Sequence, residues 1–146
     1  MKLLKYYFLA GSKSDFITQF QNNDQLYAQA NSFWQQLEAY SWVFPVICIV
    51  LGIGVAAFYY KPYNEWPNRH YKPLHWFLFM ALTFVLTFLI TWGFEYYSVR
   101  PRLNGANWLE IKIAICNALY SVVIYLGTSF VWCKWLNTNA YRLLKI

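Results

Sequence analysis

Between Pro73 and Phe94 the chain runs for twenty-two residues without an Asp, Glu, Lys or Arg. As a helix rising ~1.5 Å per residue, that run covers ~33 Å, enough to cross a hydrocarbon core ~30 Å thick. Trp76 and Trp92 stand near its ends, ~24 Å apart along such a helix, as rings seated at two membrane interfaces would be. The run therefore predicts a transmembrane helix. Within it Thr83, Thr87 and Thr91 recur at every fourth residue, and the next step lands on Glu95. Residues at that spacing share a helix face, so one edge of the helix is polar and faces something other than lipid.

Two further runs repeat the pattern. Ala39 to Tyr60 is again twenty-two uncharged residues, with Trp42 at one interface and Tyr59 and Tyr60 at the other. Pro45 falls in its first turn, where a missing N–H costs little. Gly52 and Ala56 form a pair of small residues that lets a second helix backbone approach closely. Ile113 to Cys133 adds twenty-one uncharged residues and closes on Trp132 and Trp135 with Lys134 between them. Asn117, Ser121 and Tyr125, followed by Thr128 or Ser129, give this run a polar edge of its own.

Composition agrees. The 146 residues are 59% hydrophobic and 12% charged, about half the charged share of ~25% found in soluble domains. The expected fold is an all-α integral membrane protein, a single membrane domain with transmembrane helices at 42–60, 76–94 and 113–133. An N-terminal amphipathic helix precedes them.

That N-terminal segment, 1–41, opens with an apolar portion, Tyr6 to Ala10, of five residues. A secretory signal needs an apolar core of ~7–15, so the expectation is an uncleaved amphipathic start on the membrane surface or on a partner. Asn22, Asn23 and Asp24 form a polar break and a helix N-cap. Beyond it Tyr27, Ala30, Trp34, Leu37 and Ser41 recur at helical spacing, with Leu26, Phe33 and Tyr40 beside them. Gln25, Gln29, Asn31, Gln35, Gln36 and Glu38 hold the opposite face. Helices that bind lipid surfaces carry Lys or Arg there, and this face has none, which points to protein contact.

The connection 61–75 holds three of the five prolines, predicting a stiff, extended loop. His70 and His75, five residues apart, share no helical face and read as polar surface. In 95–112, Asn104-Gly105 is a turn signal, and Asn107 with Glu110 reads as a capping box opening the third helix. Arg100 and Arg102 are expected to pair with Glu95 or Glu110, an exposed contact worth ~0–1 kcal/mol. The tail, 134–146, is basic.

The formal charge is +6, but it lies outside the apolar runs and does not gather on one face, which argues against nucleic-acid binding. Lys61, Arg69, Lys72, Arg142 and Lys145 read as contacts to lipid headgroups or a partner. Loop 61–75 and the tail together hold six Lys or Arg, against three in 96–112 and none in the twenty residues before the first crossing. Charges near the membrane set orientation. The expectation is a cytoplasmic C-terminus and Lys61–His75 loop with the N-terminus opposite, although counting Lys2, Lys5 and Lys13 evens the two sides at six.

Cys48, Cys116 and Cys133 cannot all pair within one chain and match no zinc spacing. There is no paired-carboxylate, Cys–His or Ser–His arrangement, no phosphate loop and no metal-ligand cluster, so no enzyme, metal or cofactor is expected. Every charge sits at a border of an apolar run, whereas ion and proton transport call for one in mid-membrane.

Thr83, Thr87, Thr91, Glu95, Asn117, Ser121 and Tyr125 are the candidate functional residues. Their first reading is helix packing, hydroxyls of one run meeting Asn117 and Ser121 of the other at ~0.6 kcal/mol each. Bonding to their own i−4 carbonyls is the blander possibility. Asn117 requires a partner, for which Tyr120 and Tyr125 are the nearby candidates. The function expected is that of a non-catalytic accessory subunit, in contact with the bilayer and with other membrane subunits or copies of itself. One alternative is a homo-oligomeric channel with a Thr-lined path and Glu95 at its mouth. Another is an immunity protein against a pore-forming toxin.

Overall fold

Local start signals are met by hydrogen bonds in the computed structural model, which describes residues 3–66, 72–100, 102–103 and 105–136. After a 3-10 turn at Leu3–Tyr6 comes the short helix α1, Lys13–Thr18. Ser12 Oγ accepts from the Asp15 amide at 3.2 Å, and Asp15 Oδ2 accepts from the Ser12 amide at 3.4 Å, a reciprocal capping box. Helix α2 spans Asp24–Tyr40. Asn23 caps it, its Oδ1 accepting from the amides of Gln25 and Leu26 at 3.0 and 3.3 Å.

Helix α3, Val43–Phe58, continues into a π-helical turn, Tyr59–Tyr63. The start of the connection predicted as extended is therefore helical. Pro62 lies inside that turn, and the wider π geometry relieves the clash its ring would make with the carbonyl of residue i−4 in an α-helix. Residues 67–71, with His70 and Arg69, lie outside the described residues, as do Arg142 and Lys145.

Helices α4, Pro73–Ser98, and α5, Asn107–Trp135, both outrun the apolar stretches that announced them. Charged residues end a hydrophobic run but leave the backbone ladder intact, so α4 carries past Glu95 and α5 takes in Glu110 and Lys112. The Ala106 carbonyl accepts from the Glu110 amide at 3.2 Å. That makes Ala106 the cap residue and Asn107 the first residue of the helix, one position later than the predicted box requires.

No strand occurs among the described residues. Three helical spans, Val43–Tyr63, Pro73–Ser98 and Asn107–Trp135, are long and apolar enough to cross a membrane, at 21, 26 and 29 residues. Along α4 the buried residues are Trp76, Thr83, Thr87, Thr91 and Glu95, while Leu78, Leu82, Val85, Leu89 and Ile90 are exposed. Along α5 Asn117, Ser121, Tyr125 and Ser129 are buried, and Leu119, Val123, Leu126 and Phe130 are exposed. A helix on the surface of a water-soluble protein has the reverse arrangement.

The chain packs as two compact units, Met1–Val46 with Phe88–Asn117 and Ile47–Thr87 with Ala118–Ile146. In the first, Phe16 gathers Phe20, Phe33 and Trp34 at ring-centroid distances of 5.4, 6.1 and 5.7 Å, tying α1 to α2. Ala30, Phe33, Trp34 and Leu37 form the buried row of α2, while Leu26 and Tyr27, one turn nearer its start, are exposed. Phe94 of α4 receives Tyr40 and Phe44 edge-on at 5.7 and 6.3 Å, the preferred geometry for aromatic pairs. In the second unit Ala56, Tyr59, Tyr60, Trp76 and Tyr125 form the buried cluster, with Phe79 and Trp132 against it.

Candidate functional site

The polar edges of α4 and α5 are where side-chain chemistry concentrates. Backbone groups within a helix are already bonded, so a buried hydroxyl or amide there has three outlets: its own helix, a neighbouring helix, or nothing.

In the second unit the first two outlets are both used. Thr83 donates to the Phe79 carbonyl at 2.9 Å and Thr87 to the Thr83 carbonyl at 2.8 Å. Thr87 Oγ1 is also hydrogen-bonded to Ser121 Oγ at 2.9 Å, joining α4 to α5. Ser121 has a second role. A Cβ added to Gly52 would stand 2.9 Å from the Ser121 carbonyl oxygen and 2.8 Å from Ile124 Cγ2, so the bare backbone of α3 is what lets it lie against α5 there. Ala56, one turn on, is buried in the same core.

Further along, Tyr125 donates to the Trp76 carbonyl at 3.2 Å and the Trp76 indole donates to Ser129 Oγ at 3.3 Å. Of the two residues that continue the polar edge of α5, Ser129 is thus the one turned inward, while Thr128 is only half-buried. Tyr60 and Cys133 share a contact of 3.6 Å beside them. His75 Nδ1 and the Tyr63 hydroxyl share a hydrogen bond of 2.8 Å, so His75 is engaged by an aromatic cluster, a contact that spacing along the chain gives no hint of.

In the first unit the centre is Asn117. Its amide donates to Thr91 Oγ1 at 2.8 Å, and its Oδ1 accepts from the Tyr7 hydroxyl at 3.1 Å. Both bonds are buried. Thr91 is one of the threonine hydroxyls expected to meet Asn117, while the second partner, Tyr7, lies 110 positions away. No local signal marks that pairing.

Glu95 takes the third outlet. It is 0% exposed, and neither carboxylate oxygen has a hydrogen-bond partner. Glu110 is buried too, with its Oε2 in the same condition. Arg102 lies with its guanidinium over the Tyr96 ring, 3.4 Å from the centroid. The expected pairing of Arg100 or Arg102 with Glu95 is not made among the described residues, since neither Glu95 oxygen has a hydrogen-bond partner.

Lys61 and Lys72 are exposed, as headgroup or partner contacts must be. No group of three or more His, Cys, Asp or Glu able to hold a metal occurs among the described residues. The three cysteines are unpaired. No protein-family model, curated protein or solved structure matches the chain.

Proposed function

We propose that this chain is an integral membrane protein that crosses the bilayer three times and acts as a non-catalytic structural subunit of a larger membrane assembly. The observation that carries the reading is the inverted arrangement of α4 and α5, polar rows inward and Leu, Val, Ile and Phe outward. Water would penalise so large an apolar exterior. Lipid tails and the apolar faces of neighbouring helices accept it.

The polar rows also bear on the choice between a subunit and a pore. A ring-shaped channel lined by Thr83, Thr87 and Thr91 needs those side chains on the outside of each copy. All three are buried within the chain, and Thr87 and Thr91 are bonded to Ser121 and Asn117. This favours the subunit reading. Gln25, Gln29, Gln35 and Gln36 on α2 are exposed and supply an uncharged hydrogen-bonding surface suited to protein. The orientation that goes with the proposal has the Lys61–His75 loop and the C-terminal tail in the cytoplasm.

The test is solubilisation in a mild detergent followed by native mass determination. The expected outcome is a particle heavier than one chain that contains other polypeptides. Recovery solely as a lone 17.4 kDa monomer would overturn the subunit reading, and release of the chain from vesicles by alkaline carbonate would overturn the membrane reading.

A further inference from the structure

One cavity of the first unit brings together groups that neither polar row uses. It holds about 340 Å³ between α1, the turn before it and the first turns of α5, within the ~300–1,000 Å³ typical of ligand sites. Its walls carry one charge of each sign, Asp15 from α1 and Lys112 from α5, with the Gln19 amide and the Trp108 indole beside them. No ion pair joins the two charges among the described residues. Asp15 Oδ2 accepts from the Ser12 amide, but a carboxylate has about four acceptor sites and an ammonium three donors. Both groups keep bonding capacity for something held between them.

The depth of the cavity is set by α5. That span begins at Asn107, and its uncharged run begins at Ile113. Trp108 and Lys112 therefore occupy the last one and a half turns or so before hydrocarbon, the level at which indole rings and lysines settle. On the neighbouring N-terminal segment Tyr6, Phe8 and Leu9 are 58%, 64% and 36% exposed, and Leu9 also lines the cavity. Apolar side chains held outward beside a pocket with both charges suit a ligand with a charged head and hydrocarbon tails.

We propose that this cavity binds the headgroup of a phospholipid of the phosphoethanolamine type, its phosphate on Lys112 and its primary ammonium on Asp15. Charge decides against a purely anionic headgroup, which would meet Asp15 with like sign. Hydrogen bonding decides against a quaternary ammonium, which has no N–H for Asp15 or the Gln19 carbonyl, whereas a primary ammonium has three. The exposed Trp108 indole supplies a further donor to phosphate or ester oxygens. The inference rests on the membrane-crossing part of the reading above and is independent of the assembly.

The test uses the full chain in nanodiscs made from equal parts of phosphatidylethanolamine, phosphatidylcholine and phosphatidylglycerol. Native mass spectrometry counts the lipids that leave with the protein. The expected result is one phosphatidylethanolamine retained about tenfold more often than either other lipid, the effect of one charge-assisted hydrogen bond. Lys112→Gln and Asp15→Asn each erase the preference, the asparagine keeping an acceptor for the Ser12 amide. Circular dichroism verifies that both variants are folded. Lys134→Gln, which removes a charge near the other end of α5, leaves the preference intact. Lipids retained in proportion to the bilayer, or a preference that survives both substitutions, overturn the proposal. Equal affinity for water-soluble O-phosphoethanolamine also overturns it, because the tails then contribute nothing. A chain that never enters the nanodiscs contradicts the membrane reading and the site with it, whereas one that enters and ignores the headgroup contradicts the site alone.

Discussion

Asn117 and Thr91 are joined by a buried hydrogen bond of 2.8 Å that links α5 to α4, while the other end of the same amide holds Tyr7. One side chain thus ties both long helices to the start of the chain. An amide left without partners in an apolar interior costs far more than its hydrogen bonds return, and that asymmetry makes the position restrictive.

Asn117→Leu is expected to lower stability by ~1–2 kcal/mol, since two buried bonds go at once and membrane hydrogen bonds average ~0.6 kcal/mol with a maximum near ~1.7. A double-mutant cycle with Thr91→Val should return a coupling of ~0.6 kcal/mol, measured by reversible unfolding in mixed micelles. Strict additivity of the two substitutions would mean that the bond contributes nothing.

The glycines of α3 give a sharper contrast. A Cβ at Gly52 meets Ile124 Cγ2 at 2.8 Å and the Ser121 carbonyl at 2.9 Å, whereas one at Gly54 meets nothing within 4 Å. Ile124 can shift its side chain, but a backbone carbonyl in mid-helix cannot move without moving α5. Gly52→Ala should therefore destabilise by ~1–3 kcal/mol through overpacking, and Gly54→Ala should fall within ~0.5 kcal/mol of the parent. Equal midpoints for the two variants in a detergent unfolding series would contradict the close approach.

Much of this architecture was legible in the sequence because long runs without charge leave few choices. Runs without charge must be helices, their ends are marked by indole and phenol rings, and polar residues four apart must share a face. The boundaries were less legible. Glu95, Glu110 and Lys112 interrupt the hydropathy signal, yet nothing in a carboxylate or ammonium group stops the backbone ladder, so α4 and α5 run on through them. Pro62 read as a breaker, and a π turn absorbed it. At the candidate site the step-of-four pattern picked out Thr87, Thr91, Asn117 and Ser121 and the meeting of threonine hydroxyls with Asn117 and Ser121, but not which threonine meets which. Tyr7 was invisible because a contact across 110 residues leaves no periodic trace. Arg100 and Arg102 were expected to pair with Glu95 or Glu110, yet the Glu95 oxygens have no partner and the Arg102 guanidinium lies over the Tyr96 ring.

The cysteines should report burial directly. Cys48 and Cys116 are 3% and 0% exposed, Cys133 is half-buried near the end of α5, and all three are free thiols. A thiol must reach solvent as thiolate to react. Maleimide applied to the folded protein in detergent should modify Cys133 first, leaving Cys48 and Cys116 to react on unfolding. Mass spectrometry of peptides taken at early and late times reads the order, and early labelling of Cys116 would refute the packing around it.

The last prediction concerns Ser129 and Tyr125. Tyr125 donates to the carbonyl of Trp76, a backbone group that sits inside α4 with its own helical bond available, so Tyr125→Phe removes one bond and strands no acceptor. The expected loss is ~0.5–1 kcal/mol, toward the low end of the range for a single hydrogen bond. Ser129 is a different case. It accepts from the Trp76 indole at 3.3 Å, and its hydroxyl also bears on Tyr60 and Tyr125. Ser129→Ala deletes fewer atoms than many core substitutions yet leaves a buried N–H facing a methyl group, which costs ~1–3 kcal/mol. The serine should therefore prove the more sensitive of the two positions in unfolding midpoints, and indole fluorescence should shift in Ser129→Ala while staying near that of the parent in Tyr125→Phe. Equal effects would mean that the indole is served by some group other than Ser129.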